Sequence, residues 1–263
     1  MLGPPGRRGA RETRAIFHGV RFPALFVLAL TLLLAACAPA VEVEDTGAHL
    51  QPFTLDPVPR DQRYVIAVPS FTVGAGSVRI GSVDLSKEGE DFYRELGSGV
   101  ADIFIAEAYE SQQFRITERA EIDKILFEQD LARSGRVNPA TAAAVGRIEG
   151  AELMVLGSVS EFGVETTGGG GRVLGVFGGS SETVTARVAV EIRFVDTNTA
   201  EIMAIGRGVA QVSQRNVSVD IANVMTDLRV GRTGTTIVDY AVRNAIRSAI
   251  ESAARSLPAK IGR

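Results

Sequence analysis

The chain has 263 residues, with 28 lysines and arginines against 31 acidic residues, one cysteine and two histidines. Residues 1–36 hold five arginines and one acid, so the remainder carries 23 basic and 30 acidic side chains, a net charge of −7. This acidic balance argues against a nucleic-acid partner, which would require a basic face. A single cysteine excludes internal disulfides, and the length suits one domain with appendages.

The first 36 residues are predicted to be a signal peptide. Arginines precede an apolar run from Phe22 to Ala36 that is too short to span a bilayer as a mature helix. The run ends in Leu-Ala-Ala-Cys37, which resembles the lipobox of bacterial lipoproteins. We therefore expect cleavage between Ala36 and Cys37 and acylation of Cys37, with palmitate among its acyl chains. Ala38 follows where an aspartate would favour the inner membrane, so we expect sorting to the outer membrane.

Hydrophobic periodicity divides the rest into an acylated N-terminus with a proline-rich linker, residues 37–60, and a folded domain, residues 61–263. Continuous apolar runs predict buried strands, and apolar positions three or four residues apart predict amphipathic helices. In chain order we predict a strand over Arg63–Val68, a loop over Thr72–Glu90, a helix carrying Leu96 to Ala108, a strand over Phe114–Thr117, a helix from Ile122 to Gly135, a helix starting at Asn138-Pro139, a strand over Glu152–Leu156 and a helix over Thr236–Leu257. This order predicts an α/β domain with a mixed sheet.

Two amphipathic hairpins are predicted between the last two of these elements, at about residues 164–188 and 212–232. The segment from Thr183 to Asp196 alternates apolar and polar residues, which is typical of a strand with one face out of water. Gly178–Ser181 is predicted to be the turn that joins it to a strand at Arg172–Phe177. A second alternating segment runs downstream. The apolar rows contain Val184, Ala186 and Val188 in the first hairpin, and Val217, Val219, Ile221, Leu228 and Val230 in the second.

The sequence gives little support to catalysis. After the signal peptide the only histidine is His49, in the linker, so no base is available for a Ser-His-Asp or Cys-His nucleophile. Clustered zinc or iron ligands are missing, and the glycines from Gly168 to Gly179 lack the Lys-Ser/Thr pair of a P-loop. Paired carboxylates of a hydrolase remain an alternative, although solvated surface acids are far commoner. We predict a non-enzyme with no metal and no cofactor.

Five segments, taken in order, resemble the CsgG/HfaB family, the lipoproteins that form the curli secretion channel and its holdfast-anchor relatives. They are Ile66–Phe71, Phe114–Arg119, Ile122–Gln129, Gly150–Phe162 and Val190–Thr199. The resemblance covers nearly the whole domain, from about Arg63 to Leu257.

The resemblance implies a periplasmic α/β domain that assembles into a homo-oligomeric ring, in which each protomer lends two β-hairpins to one shared transmembrane barrel. Barrel physics agrees, because four strands from one chain cannot close a barrel and an open sheet edge is not tolerated in lipid. The apolar rows named above would then face lipid, and the polar rows would face a water-filled lumen. On alternation alone, two long ribbons of a soluble periplasmic sheet are the alternative.

The resemblance also implies a pore constriction in the loop before the first long helix. By position, Phe92 matches the phenylalanine of the family and Asp91 its asparagine. The tyrosine of the family falls near Lys87, which is not aromatic, although Tyr93 is a neighbour. The constriction candidates are therefore Asp91, Phe92 and Tyr93, and the alternative for Phe92 is packing against the helix N-terminus.

The leading hypothesis is a lipid-anchored outer-membrane protein, on the periplasmic side, that forms a secretion pore for curli-like or adhesin and holdfast-type proteins. Its partners would be other copies of itself, the secreted cargo and a periplasmic accessory protein. The alternative is a periplasmic regulatory lipoprotein that binds a cell-wall synthase or another envelope partner. The amphipathic hairpins discriminate between them, because a soluble activator has no use for them.

Overall fold

The computed structural model describes residues 49–81, 85, 88–169, 181–215, 226 and 237–260. The signal peptide and its junction at Ala36 and Cys37 lie outside these residues, as does Lys87. The apolar row predicted for the second hairpin also lies outside them: Val217, Val219, Ile221, Leu228 and Val230.

A seven-stranded mixed sheet forms the centre of the described part of the domain. Its strands are β1 (Tyr64–Ala67), β2 (Phe71–Val73), β3 (Val78–Ile80), β4 (Phe114–Thr117), β5 (Leu153–Gly169), β6 (Ser181–Asp196) and β7 (Ile202–Arg215). The main order is β4-β1-β5-β6-β7, in which β4, β1 and β5 run parallel and β5, β6 and β7 run antiparallel. The short strands β1, β2 and β3 pair one after another along the same long strand, β5.

Two long helices, α1 (Glu90–Glu110) and α3 (Ile237–Ser256), cover one face of this sheet. Gly97 lets α1 approach β2, because a Cβ there would lie 2.0 Å from the carbonyl oxygen of Phe71. The apolar residues of both helices join those of the strands in one buried core. A third helix, α2 (Ile122–Arg133), has no buried residue.

Most predicted elements are confirmed, including the helices at α1, α2 and α3 and the strands at β1 and β4. The helix predicted from Asn138-Pro139 is wrong, because the chain makes only a turn there. In that turn the Asn138 side chain accepts a hydrogen bond from the Ala140 backbone N–H at 3.0 Å. The loop predicted over Thr72–Glu90 is wrong in part, since it contains most of β2 and all of β3.

The hairpin prediction places β6 correctly and its partner strand wrongly. The strand that pairs with β6 is β5, which reaches Gly169, so the predicted partner at Arg172–Phe177 lies beyond it and outside the described residues. The predicted strand over Glu152–Leu156 is only the beginning of β5. The third long strand, β7, was not predicted.

Candidate functional site

A β-bulge divides the long β5–β6 hairpin into two parts. Between Val159 and Glu161 the register shifts by one residue. Before the bulge, residues 153–159 pair with residues 190–196, and beyond it residues 161–169 pair with residues 181–189. Beyond the bulge β5 and β6 each contribute nine paired residues, which matches the roughly nine to eleven that a tilted membrane-spanning strand needs. We call this part, together with residues 209–215 of β7, the distal ribbon.

One face of the distal ribbon is apolar. Val184, Ala186 and Val188, which the sequence predicts to be in one row, do share this face. Phe162 and Val164 of β5 pair with Val188 and Ala186, so the row extends across the strands. In the protomer this face is buried: Val184 is 2% exposed and Ala186 is fully buried. The three residues belong to the hydrophobic core, and contact with lipid would require that core to open on this side.

The other face of the distal ribbon is polar beyond Ala189 and Val209, which lie next to the bulge, and it is bonded across strands. The Thr185 hydroxyl lies 2.9 Å from the Ser213 hydroxyl on β7. The Arg187 guanidinium donates from Nε to Glu161 Oε2 at 2.9 Å, with both side chains about half exposed. This face can contact water without leaving its polar groups unsatisfied, and cross-strand pairs of this kind hold the register of the ribbon.

The predicted constriction residues lie in the first turn of α1. Asp91 is exposed and forms an ion pair with Arg94 at 2.5 Å. The ring of Phe92 packs edge-on against the ring of Tyr93, with 5.1 Å between the centroids. Tyr93 is buried, and its hydroxyl donates to the Leu85 carbonyl oxygen at 2.9 Å. At the start of the helix, Phe92 and Tyr93 therefore pack against each other, with Phe92 partly buried, and Asp91 is exposed.

A buried charge cluster that the sequence analysis missed joins the two long helices. Glu107 of α1 is fully buried and forms ion pairs with Arg243 and Arg247 of α3, the second at 2.5 Å. Arg243 also donates to Asp239 at 3.0 Å. Burial raises the pKa of the Asp239 carboxyl, while the charge of Arg243 opposes that rise. In the sequence, Glu107 lies within the apolar stripe of α1 that contains Phe104 and Ala108, and this position indicates a buried carboxylate.

Neither a transmembrane helix nor a metal centre is found in the described part of the chain. No helix there is both long enough and apolar enough to cross a membrane. No group of three His, Cys, Asp or Glu side chains among the same residues is placed to hold a metal ion.

Comparison with known families decides the identity of this fold. The family model described as "Curli production assembly/transport component CsgG" matches residues 53–262. The chain belongs to the CsgG family. The matched region contains the whole distal ribbon and both long helices, whereas Cys37 precedes it, so acylation of Cys37 stays a prediction from the sequence.

Individual relatives of this CsgG-family chain are distant. A protein of Neisseria meningitidis serogroup B that is named as a lipoprotein is 25% identical over 175 residues, which span 63% of this chain and 67% of the relative. Among solved structures, lipoprotein GNA1162 from Neisseria meningitidis is 15% identical, with a TM-score of 0.29 over 63% of this chain and 92% of its own. The PelC dodecamer from Paraburkholderia phytofirmans is 14% identical, with a TM-score of 0.29 over 77% and 96%.

Proposed function

We propose that this CsgG-family chain is the lipid-anchored protomer of a ring-shaped secretion pore in the outer membrane, with unfolded or extended extracellular proteins of the curli or adhesin type as its cargo. Cys37 would carry the anchor, and residues 37–60 would tether the domain close to the membrane. The distal ribbon would form part of a barrel shared by all protomers, and the start of α1 would border the pore entrance.

The observation that carries the proposal is the two-faced distal ribbon. Beyond the bulge, β5 and β6 have the length of a membrane-spanning strand, and β6 alternates apolar Val184, Ala186 and Val188 with polar Thr185 and Arg187. An apolar face toward lipid and a polar face toward water is the arrangement that a barrel wall needs. A bulge at the base of the ribbon is a usual device for bending strands away from a sheet.

A membrane role for the ribbon requires an oligomer. Three long strands cannot close a barrel, for which about eight strands are the practical minimum. An unpaired edge in lipid leaves backbone groups without hydrogen-bond partners, which costs several kcal/mol for each group. The apolar face must also be uncovered on insertion, since it is buried in the isolated protomer. Exchange of core contacts for lipid contacts makes this opening feasible, because both environments are apolar.

Tryptophan fluorescence offers a direct test, because the chain contains no tryptophan. Phe162→Trp places one on the apolar face of the distal ribbon, and Phe194→Trp places one on the same face of the sheet before the bulge. Both phenylalanines are buried, so the two variants are matched in packing. Each full-length variant is reconstituted into phosphatidylcholine vesicles with brominated acyl chains, which quench tryptophans in contact with lipid.

We expect strong quenching of Phe162→Trp, no quenching of Phe194→Trp, and single-channel conductance from both variants in planar bilayers. Phe194 stacks on Phe114 at 5.0 Å within the domain core and should stay there after insertion. Equal and weak quenching in both variants, together with a monomer that conducts no ions, would overturn the pore.

A second function is favoured by one observation, the burial of the apolar face in the protomer. A periplasmic regulatory lipoprotein would keep that face in its core permanently and would present only its surface to a cell-wall synthase or another envelope partner. In that case the Phe162→Trp protein remains unquenched and monomeric in every lipid mixture.

A further inference from the structure

Helix α2 exposes apolar side chains that nothing in the described part of the protomer covers. None of its residues is buried, and Phe127 is 70% exposed. Ile125 and Leu126 are also exposed. An amphipathic helix gains most of its stability from packing its apolar face, so a helix of twelve residues without such packing is marginal by itself. These residues indicate a partner surface.

The charge beside Phe127 is acidic. Asp123 precedes it by four residues and therefore lies next to it on the helix surface. Within the described residues Asp123 has no ion-pair partner, whereas the acids Glu121 and Asp130 pair with Lys124 and Arg133. Burial, together with the nearby carboxylates of Glu118 and Glu121, raises the pKa of Asp102 on α1, which also reflects a negative field at this end of α2.

A complementary surface lies on the face of the sheet that the long helices leave open. Leu156 of β5 pairs with Arg193 of β6, which pairs in turn with Ile205 of β7. The neighbouring Gly206 faces α3, because its Cβ would meet the Ala249 carbonyl oxygen, so Ile205 points to the open face. Leu156, Arg193 and Ile205 are all exposed, and we call them the apolar rung.

Arg193 is the cation of the apolar rung. Two other arginines of the open face each pair with an acid across the strands, Arg187 with Glu161 at 2.9 Å and Arg207 with Glu191 at 2.7 Å. Arg193 instead lies between two apolar side chains and has no acidic partner among the described residues. The rung is thus complementary to α2 in charge and in apolar character, because Arg193 can pair with Asp123 while Leu156 and Ile205 can pack against Phe127.

We propose that α2 of one copy docks on the apolar rung of the next copy, with Phe127 packed over Leu156 and Ile205 and with Asp123 paired to Arg193. The two surfaces belong to opposite edges of the described sheet, because α2 follows edge strand β4 and the rung ends on edge strand β7. Contacts between different surfaces of identical chains are heterologous, and they form a ring where the rotation between neighbouring copies closes. This inference rests on the ring of the proposed function and names the contact that would build it.

The test uses full-length acylated protein in detergent and measures the size of the assembly by analytical ultracentrifugation. Asp123→Arg and Arg193→Asp each set like charges against each other, so each should weaken self-association roughly tenfold or more. Phe127→Ala should weaken it as well. Glu128→Arg is the control, since Glu128 lies about 140° around α2 from Asp123, and it should leave the assembly intact.

Mixing the two charge variants separates docking from misfolding. Where the two variants alternate, each helix meets an oppositely charged rung, so an equimolar mixture should form larger assemblies although neither variant does so alone. The double variant Asp123→Arg/Arg193→Asp should assemble without mixing. Urea unfolding of the domain should be unchanged throughout, because α2 contributes no buried residue to the core, even where undocked α2 loses helicity.

The outcomes distinguish the docking contact from the pore. Rings that conduct ions in every variant would overturn the docking contact and leave the pore intact. If the single charge variants dissociate and their mixture reassembles, but the wild-type rings conduct no ions, the docking contact is supported and the pore is overturned. A wild-type protein that stays monomeric would overturn the docking contact together with the ring.

Discussion

At the residue scale, Glu107 holds the two long helices together from inside the core. Glu107 is fully buried, and its ion-pair partners on α3, Arg243 and Arg247, are nearly buried, with side-chain exposures of 14% and 12%. Removal of one partner from a buried ion pair leaves uncompensated charge. We therefore expect Glu107→Gln to lower the free energy of unfolding by about 3–5 kcal/mol.

Glu110→Gln provides a matched control for that substitution. Glu110 lies one turn further along α1 and pairs with the same Arg247 at 2.8 Å, but its side chain is 57% exposed. An exposed pair contributes about 0–1 kcal/mol. Urea unfolding followed by circular dichroism measures both variants, and similar losses from the two would contradict a special role for the buried carboxylate.

Contacts between residues that are far apart in the chain could not be predicted from the sequence. By position in the family Phe92 is a constriction candidate, with Tyr93 as a neighbouring aromatic, but the sequence does not indicate that Tyr93 is buried and bonded to Leu85. The position of Glu107 in an apolar stripe indicates its burial, but the sequence does not identify its partners on α3, which lie more than 130 residues away in the chain. Periodicity describes neighbours along the chain and carries no information on such contacts.

At the scale of elements, β7 and α3 pack more closely than side chains would allow. A Cβ at Gly206 would lie 2.1 Å from the Ala249 carbonyl oxygen, and one at Gly208 would lie 1.8 Å from that of Ala245. Gly208→Ala must therefore push α3 away from the sheet. Overpacking of this kind costs about 1–3 kcal/mol or more, which thermal or urea unfolding would detect.

Gly163→Ala is the control for this helix contact. Gly163 also lies in a long strand, but an added Cβ would meet only the Arg187 carbonyl oxygen, at 3.9 Å. Since alanine reduces the entropy of the unfolded chain, this variant should be neutral or slightly more stable. Equal destabilisation by both alanines would show that the close approach of α3 does not govern the loss.

The same close packing explains why β7 escaped prediction. Glycines replace side chains on its covered face, while Ile205 and Val209 stand on its open face, so apolar and polar residues do not alternate. In β5 the bulge shifts the alternation by one residue, from Val159 to Phe162, and breaks the period. The helix predicted at Asn138 had good local start signals but no apolar face to pack. Long elements with a regular apolar face were predicted. Strands in which glycines or a bulge interrupt that pattern were missed or predicted in part.

At the scale of the whole molecule, the two faces of the distal ribbon respond differently to charge. Val184→Arg puts a cation on the apolar face, where it would disrupt the protomer core before insertion and cost about 2–4 kcal/mol near the bilayer midplane after it. Both proposed functions therefore predict that Val184→Arg prevents folding or insertion, so this variant does not distinguish them. A variant on the polar face distinguishes them.

Thr185→Arg adds one cation per protomer to the polar face, next to Ser213 and Arg187. If that face lines the pore, a ring multiplies the added charge and attracts anions. The reversal potential in asymmetric salt should then shift toward anion selectivity, while assembly persists because a wet lumen solvates the guanidinium. Asn198→Arg adds the same charge in the exposed turn after β6, at the far end of the hairpin, and should leave selectivity nearly unchanged. If Thr185→Arg pores keep wild-type selectivity, the polar face does not line the conducting path.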